Sequence, residues 1–112
     1  MIGISTHVLD TKIGRPAEGI RVIVERASLA GSFMAVGEGT TDDHGRIPQL
    51  LASGAALEAG IYRLTFYVDN YFKGQDHFYP EVTVNFLVRD PSTHYHVPLL
   101  LSAYGYTTYR GS

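Results

Sequence analysis

An all-β sandwich is the fold class this sequence predicts, and three observations predict it. Two runs alternate cleanly: Tyr62, Leu64, Phe66 and Val68 against Arg63, Thr65 and Tyr67, and Val82, Val84, Phe86 and Val88 against Glu81, Thr83, Asn85 and Arg89. A period of two puts each apolar set on one face of a strand. Altogether seven or eight short strand-like runs follow one another, separated by Gly, Pro, Asn and Asp turn signals, a spacing that favours a sandwich over a barrel. Only residues 69–74 read as helical, a stub with Asp69 as N-cap and Gly74 as terminator.

The elements follow in order. Residues 2–9 alternate, with Ile2, Ile4, Thr6 and Val8 on one side and Gly3, Ser5, His7 and Leu9 on the other. Residues 10–19 hold Gly14, Pro16 and Gly19 and form a turn-rich connection. Ile20, Val22 and Val24 alternate with Arg21 and Glu25, while Ile23 on the polar side predicts cover on both faces. Residues 33–40 form a weaker strand, interrupted by Gly37 and Gly39. The polar loop over residues 40–46 delivers Arg46 to the start of an apolar run, residues 47–51. After the two alternating strands, residues 90–92 turn the chain into its terminal stretch. There, two extended segments join around Ser102 and Ala103. His94, His96, Pro98 and Leu100 share one face, and Tyr95, Val97, Leu99 and Leu101 share the other. Pro98 lacks an N–H, which predicts an edge strand or a bulge at that position. The Tyr-rich end, with Tyr104, Tyr106 and Tyr109, reads as a terminal segment tied to ordered structure.

Composition narrows the class of partner. At 112 residues, 45% hydrophobic and 18% charged, the chain is expected to fold as one domain over residues 1–112. A net charge of −2, dispersed along the sequence, makes nucleic acid and anionic membrane poor partners. The absence of Cys excludes disulfides, thiol catalysis and thiolate zinc sites. There is neither a leader pattern nor an apolar stretch of about 18 residues, so the expectation is a soluble, unprocessed, cytoplasmic protein.

Five His occur, at positions 7, 44, 77, 94 and 96. The pair His94 and His96 projects both imidazoles to one side of a strand, an arrangement open to three readings. They are surface polar residues, zinc ligands with His7 as a third, or general bases. The zinc reading is the weakest, because no carboxylate or thiolate stands at ligand spacing. Arg46 alone reads as a solvated strand-end charge, the tyrosines as packing or partner surface, and Asp42 and Asp43 as loop solvation rather than a calcium site. Ser112 lies in no nucleophile elbow; its carboxylate is a hydrogen-bond partner for Arg46 or a His.

Together these pieces resemble one family over essentially the whole chain. The opening Ile4-Ser5-Thr6-His7-Val8-Leu9-Asp10, the loop Thr41-Asp42-Asp43-His44-Gly45-Arg46, the run His94-Tyr95-His96-Val97-Pro98-Leu99-Leu100-Leu101-Ser102 and the terminal Tyr109-Arg110-Gly111-Ser112 resemble the 5-hydroxyisourate hydrolases, the transthyretin-related enzymes of urate breakdown. The tetrapeptide combined with His7, Arg46 and His96 makes the resemblance specific.

What the resemblance implies is a transthyretin-like sandwich of two four-stranded sheets, assembled as a homotetramer with active sites in clefts between dimers. It implies hydrolysis of 5-hydroxyisourate to 2-oxo-4-hydroxy-4-carboxy-5-ureidoimidazoline, without an organic cofactor or a metal. Carried over by position, His7, Arg46 and His96 are the catalytic set, and Tyr109 and Ser112 join them in binding substrate. A neutral imidazole suits proton abstraction from water, and a guanidinium fork suits a planar, polar ring. Two residues depart from the family pattern. His44 stands where an acidic or small residue is usual, and Ala103 replaces a proline. The competing class is a transthyretin-like carrier of small molecules, which lacks the His-Arg-His set; a metal hydrolase using His7, His94 and His96 is a third.

Overall fold

The computed structural model describes residues 2–112, and among them nine strands build two sheets. In chain order these are β1 (Ile4–Asp10), β2 (Arg15–Pro16), β3 (Arg21–Ala27), β4 (Phe33–Thr40), β5 (Arg46–Ile47), β6 (Gly60–Tyr67), β7 (Val82–Val88), β8 (Tyr95–Leu101) and β9 (Tyr106–Thr108). One sheet runs β2-β1-β8-β9, with β5 also paired to β1; the other runs β4-β3-β6-β7. The first sheet has five strands by count but is four wide. β8 takes one edge of β1 along its whole length, so the two-residue strands β2 and β5 share the other edge end to end.

The alternation read from sequence decides what faces the core. Tyr62, Leu64, Phe66, Val82 and Val88 of the second sheet are buried together with Ile4, Val8, Val97, Leu99 and Leu101 of the first. Fully burying a side chain of this size is worth about 1.5–3 kcal/mol. The polar residues that enter the core are satisfied there: Thr6 Oγ1 donates to the Val97 carbonyl at 2.6 Å. Ile23 is only half-buried, so the outer face of β3 is partly covered, less than the sequence implies.

Two expectations need correction, for residues 69–74 and for Pro98. The helical stub does not form; residues 69–74 make a run of turns, with Phe72 N donating to Val68 O at 3.1 Å and Gln75 N to Phe72 O at 2.8 Å. A single turn fixes several dihedrals for little hydrogen bonding, and the intended cap, Asp69, is instead bonded to His77 Nε2 at 2.6 Å. The apolar run of residues 47–51 is strand only at Ile47, because Pro48 has no N–H to continue the ladder. Pro98 lies in an interior strand, not at an edge. His96 O accepts from Gly111 N, so the backbone polar groups of residues 96 and 98 point away from β1. The missing N–H of Pro98 therefore falls opposite Tyr109, in the gap between β9 and the His96–Gly111 bridge.

Candidate active site

Register assembles the site on the outer face of the first sheet. His7 of β1 pairs with Arg46 of β5 on one side and with Pro98 of β8 on the other. Ser5, two residues before His7, pairs with His96, and His96 bridges to Gly111. Directly paired residues share a face. Thus His7, Arg46 and His96, far apart in sequence, stand side by side, and His94 joins them through Ser5. A hollow of ≈ 290 Å³ lies here, bordered by Ser5, Arg46, Pro48, His94, His96 and Ser112.

Each member has a local reason for its place. The loop before β5 is closed by Asp42, whose Oδ1 accepts from His44 N and Arg46 N, both at 2.9 Å. Those backbone donors, Arg46 first, hold the Asp42 carboxyl below its ordinary range. Gly45 takes φ +73°, and a Cβ there would meet the Val8 carbonyl oxygen at 2.4 Å. Because this loop is held by Asp42 and the backbone, the unusual His44 side chain is left exposed and changes little. The tail is tied down as expected. Thr108 Oγ1 donates to Pro98 O at 2.8 Å, Gly111 N to His96 O at 2.8 Å, and the Arg110 guanidinium lies 4.4 Å over the Tyr95 ring. Ala103 does not loosen the hairpin, which Ser102 closes through its N and Oγ to Gly105 O.

Electrostatics favour the neutral form of the site's imidazoles. Burial is the largest influence lowering the pKa of His7, His94 and His96 from 6.5. The Arg46 charge lowers His7 and His96 further, and the His44 backbone and Asp42 oppose the shift at His7. Arg46 itself is exposed and takes part in no salt bridge among the described residues, leaving its donors free for a ligand. The face thus offers uncharged imidazole bases beside a cationic fork, which suits attack of water on a planar polar ring.

Not every residue read from sequence arrives here. Tyr109 lines an adjoining hollow of ≈ 350 Å³ with Arg89, Tyr95, Thr108 and Arg110; the two hollows share His96. Ser112 borders the first hollow without the expected hydrogen bond to Arg46 or a histidine. Among the described residues no three His, Asp or Glu side chains converge as metal ligands, and His94 and His96 each turn a nitrogen to Ser5. Ser5 is the residue sequence reasoning missed. Its hydroxyl stands 2.8 Å from His94 Nε2 and 2.7 Å from His96 Nδ1. Alternation puts Ser5 on the His7 face, but the parallel pairing of β1 with β8 that brings it to His96 leaves no local signal.

Two four-wide sheets, with a histidine and arginine face outside one of them, define a sandwich built as a scaffold for a surface cleft. The chain belongs to the HIUase/Transthyretin family, whose model matches residues 4–111. The 5-hydroxyisourate hydrolase of Deinococcus radiodurans is 44% identical over 115 residues, covering 98% of this chain and 96% of that protein. A solved 5-hydroxyisourate hydrolase of Klebsiella pneumoniae is 33% identical with a TM-score of 0.82, covering 97% and 98% of the two chains. Transthyretin from Sparus aurata is 28% identical with a TM-score of 0.88, covering 99% and 97%.

Proposed function

We propose that the protein hydrolyses 5-hydroxyisourate to 2-oxo-4-hydroxy-4-carboxy-5-ureidoimidazoline, a step of urate breakdown. One observation carries the reading: His7, Arg46 and His96 meet on one sheet face, in a chain 44% identical to a 5-hydroxyisourate hydrolase. The backbone alone does not discriminate, since the transthyretin structure superposes at least as well as the hydrolase structure. Sequence identity and the side chains on the outer face both favour the enzyme over a carrier.

In this mechanism one neutral imidazole, of His7 or His96, takes a proton from water as its oxygen attacks a ring carbonyl. Arg46 holds the oxygen on which charge develops. The tetrahedral intermediate collapses with cleavage of the C–N bond, and the imidazolium returns its proton to the departing nitrogen. Water is thereby added across the amide with no proton left over. The other imidazole orients water or substrate, and Ser112, with Tyr109 from the neighbouring hollow, completes the wall. Residues 1–112 act as a single hydrolase domain, and the protein works as a cytoplasmic homotetramer in which another copy closes the open side of the cleft. No helix among the described residues is long and apolar enough to cross a membrane. The test is the ultraviolet decay of freshly generated 5-hydroxyisourate. Decay well above the spontaneous rate is expected, and tight binding without acceleration would turn the reading to a carrier.

The lowered imidazole pKa values give the pH dependence a sign. A base must be unprotonated, and the lowered pKa values of His7 and His96 move their protonation to lower pH than that of an ordinary imidazole. Plots of kcat/KM against pH are expected to fall on the acid side with a midpoint below 6.5. A midpoint above 6.5 would contradict the neutral-imidazole assignment. Stability follows the same direction. The unfolded chain binds protons on His7, His94 and His96 at a pH where the fold does not, so acidification through that window weakens the fold.

A further inference from the structure

Ser5 holds an unusual position for a strand residue. It is only 8% exposed, it lies across from His96 in the β1–β8 ladder, and its hydroxyl stands between two imidazole nitrogens. A hydroxyl has one proton to give and lone pairs with which to receive. Within the chain His94–Ser5–His96, the direction in which that proton points settles both tautomers.

The deciding atom is at the far end of the chain. Among the described residues, the buried His94 Nδ1 has no hydrogen-bond partner. If Ser5 gave its proton to His94 Nε2, the His94 ring proton would sit on Nδ1, a buried N–H without an acceptor. A protonated His94 would create the same orphan. If both rings donated to Ser5, the hydroxyl proton of a buried residue would itself go unused. One arrangement leaves no donor stranded. His94 Nε2–H donates to Ser5 Oγ, Ser5 Oγ–H donates to His96 Nδ1, and only a lone pair at His94 Nδ1 remains unmet. Buried donors without partners are the rarer defect in folded proteins.

We infer that Ser5 is a positioning residue that fixes His96 as its Nε2–H tautomer, so that His96 offers substrate a hydrogen-bond donor and His7 is the base. The inference deepens the proposed hydrolase reading and rests on it for the word substrate. His7 suits the remaining role. It is half-buried on the same face, paired with Arg46 across the β1–β5 ladder, and burial together with the Arg46 charge lowers its pKa, which favours the neutral imidazole a base needs. Water then loses its proton to His7, and the developing oxyanion is shared by Arg46 and His96 Nε2–H. The C–N bond breaks as the His7 imidazolium protonates the leaving nitrogen. His96 ends the cycle with the proton it began with.

The test reads the tautomer directly. Long-range proton–nitrogen correlation spectra of the wild-type protein, labelled at histidine nitrogen, are expected to show a protonated Nε2 and a bare Nδ1 for His96. Ser5→Ala is expected to scramble that pattern and to lower kcat by about 10-fold with KM little changed, the scale of one net hydrogen bond. Ser5→Thr, which keeps the hydroxyl, is expected to restore both. A wild-type His96 protonated on Nδ1 overturns the inference, as does a Ser5→Ala variant with unaltered tautomer and kcat. The wild-type spectrum decides the tautomer even if Ser5→Ala does not fold. If the wild-type protein fails to accelerate ring opening, the hydrolase reading falls while the tautomer result still stands by itself.

Discussion

Arg46→Ala and His7→Ala are each expected to remove most turnover of 5-hydroxyisourate while leaving the fold in place. Arg46 is exposed and has no carboxylate partner among the described residues, so its loss strands no buried charge, and a change in stability beyond about 0.5 kcal/mol is not expected. In the proposed mechanism its donors meet charge that appears only as the tetrahedral intermediate forms. Removing one such donor typically costs about 10²–10³ in kcat. Arg46→Lys should recover part of that loss, because it keeps the charge but not the planar fork. A general base is worth about 10²–10⁴, so His7→Ala should fall at least as far. Steady-state kinetics beside circular dichroism and sedimentation would check both. A folded, correctly assembled Arg46→Ala variant with wild-type kcat/KM would remove Arg46 from the mechanism.

The three residues of that mechanism are legible in the sequence for different reasons. Alternation in β1 and β8 puts His7 and His96 on faces away from the core, and the polar loop ahead of an apolar run puts Arg46 at a strand start. Local pattern carries that much, since side-chain direction in a strand follows from parity alone. Which strands lie beside one another does not follow from parity. The parallel pairing of β1 with β8 joins residues about ninety positions apart, and it alone turns Ser5 from a strand hydroxyl into a bridge between His94 and His96. The same non-local information is missing for Pro98. A residue without an N–H points to an edge, whereas the interior ladder simply skips the position where that donor would be used. Residues 69–74 mislead in the other direction. Asp69 and Gly74 are good helix punctuation, but a stretch this short has too little to punctuate, and His77 captures Asp69 instead.

Gly111→Ala is expected to inactivate the protein as thoroughly as a change within the His-Arg-His set, although the substitution adds one methyl group. A Cβ on residue 111 would stand 2.5 Å from His96 Cδ2 and 3.0 Å from Pro98 Cγ. Neither neighbour yields cheaply. The His96 ring is bonded to Ser5 through Nδ1, and Pro98 is a buried, rigid ring in an interior strand. Two responses remain. Either the tail lifts, breaking the 2.8 Å bond from Gly111 N to His96 O and carrying Ser112 away from the hollow, or the imidazole turns and leaves Ser5. Misplacing a reacting group by about 1 Å costs on the order of 10²-fold in rate, so both responses predict a loss of that size. Stability should drop by only about 1 kcal/mol, the scale of one net hydrogen bond. The two responses separate by readout. A lifted tail raises KM and preserves the His96 nitrogen shifts, whereas a turned ring lowers kcat and changes them. A Gly111→Ala variant with full activity would mean that the tail does not sit against His96 during turnover, and Ser112 would lose its place in the site.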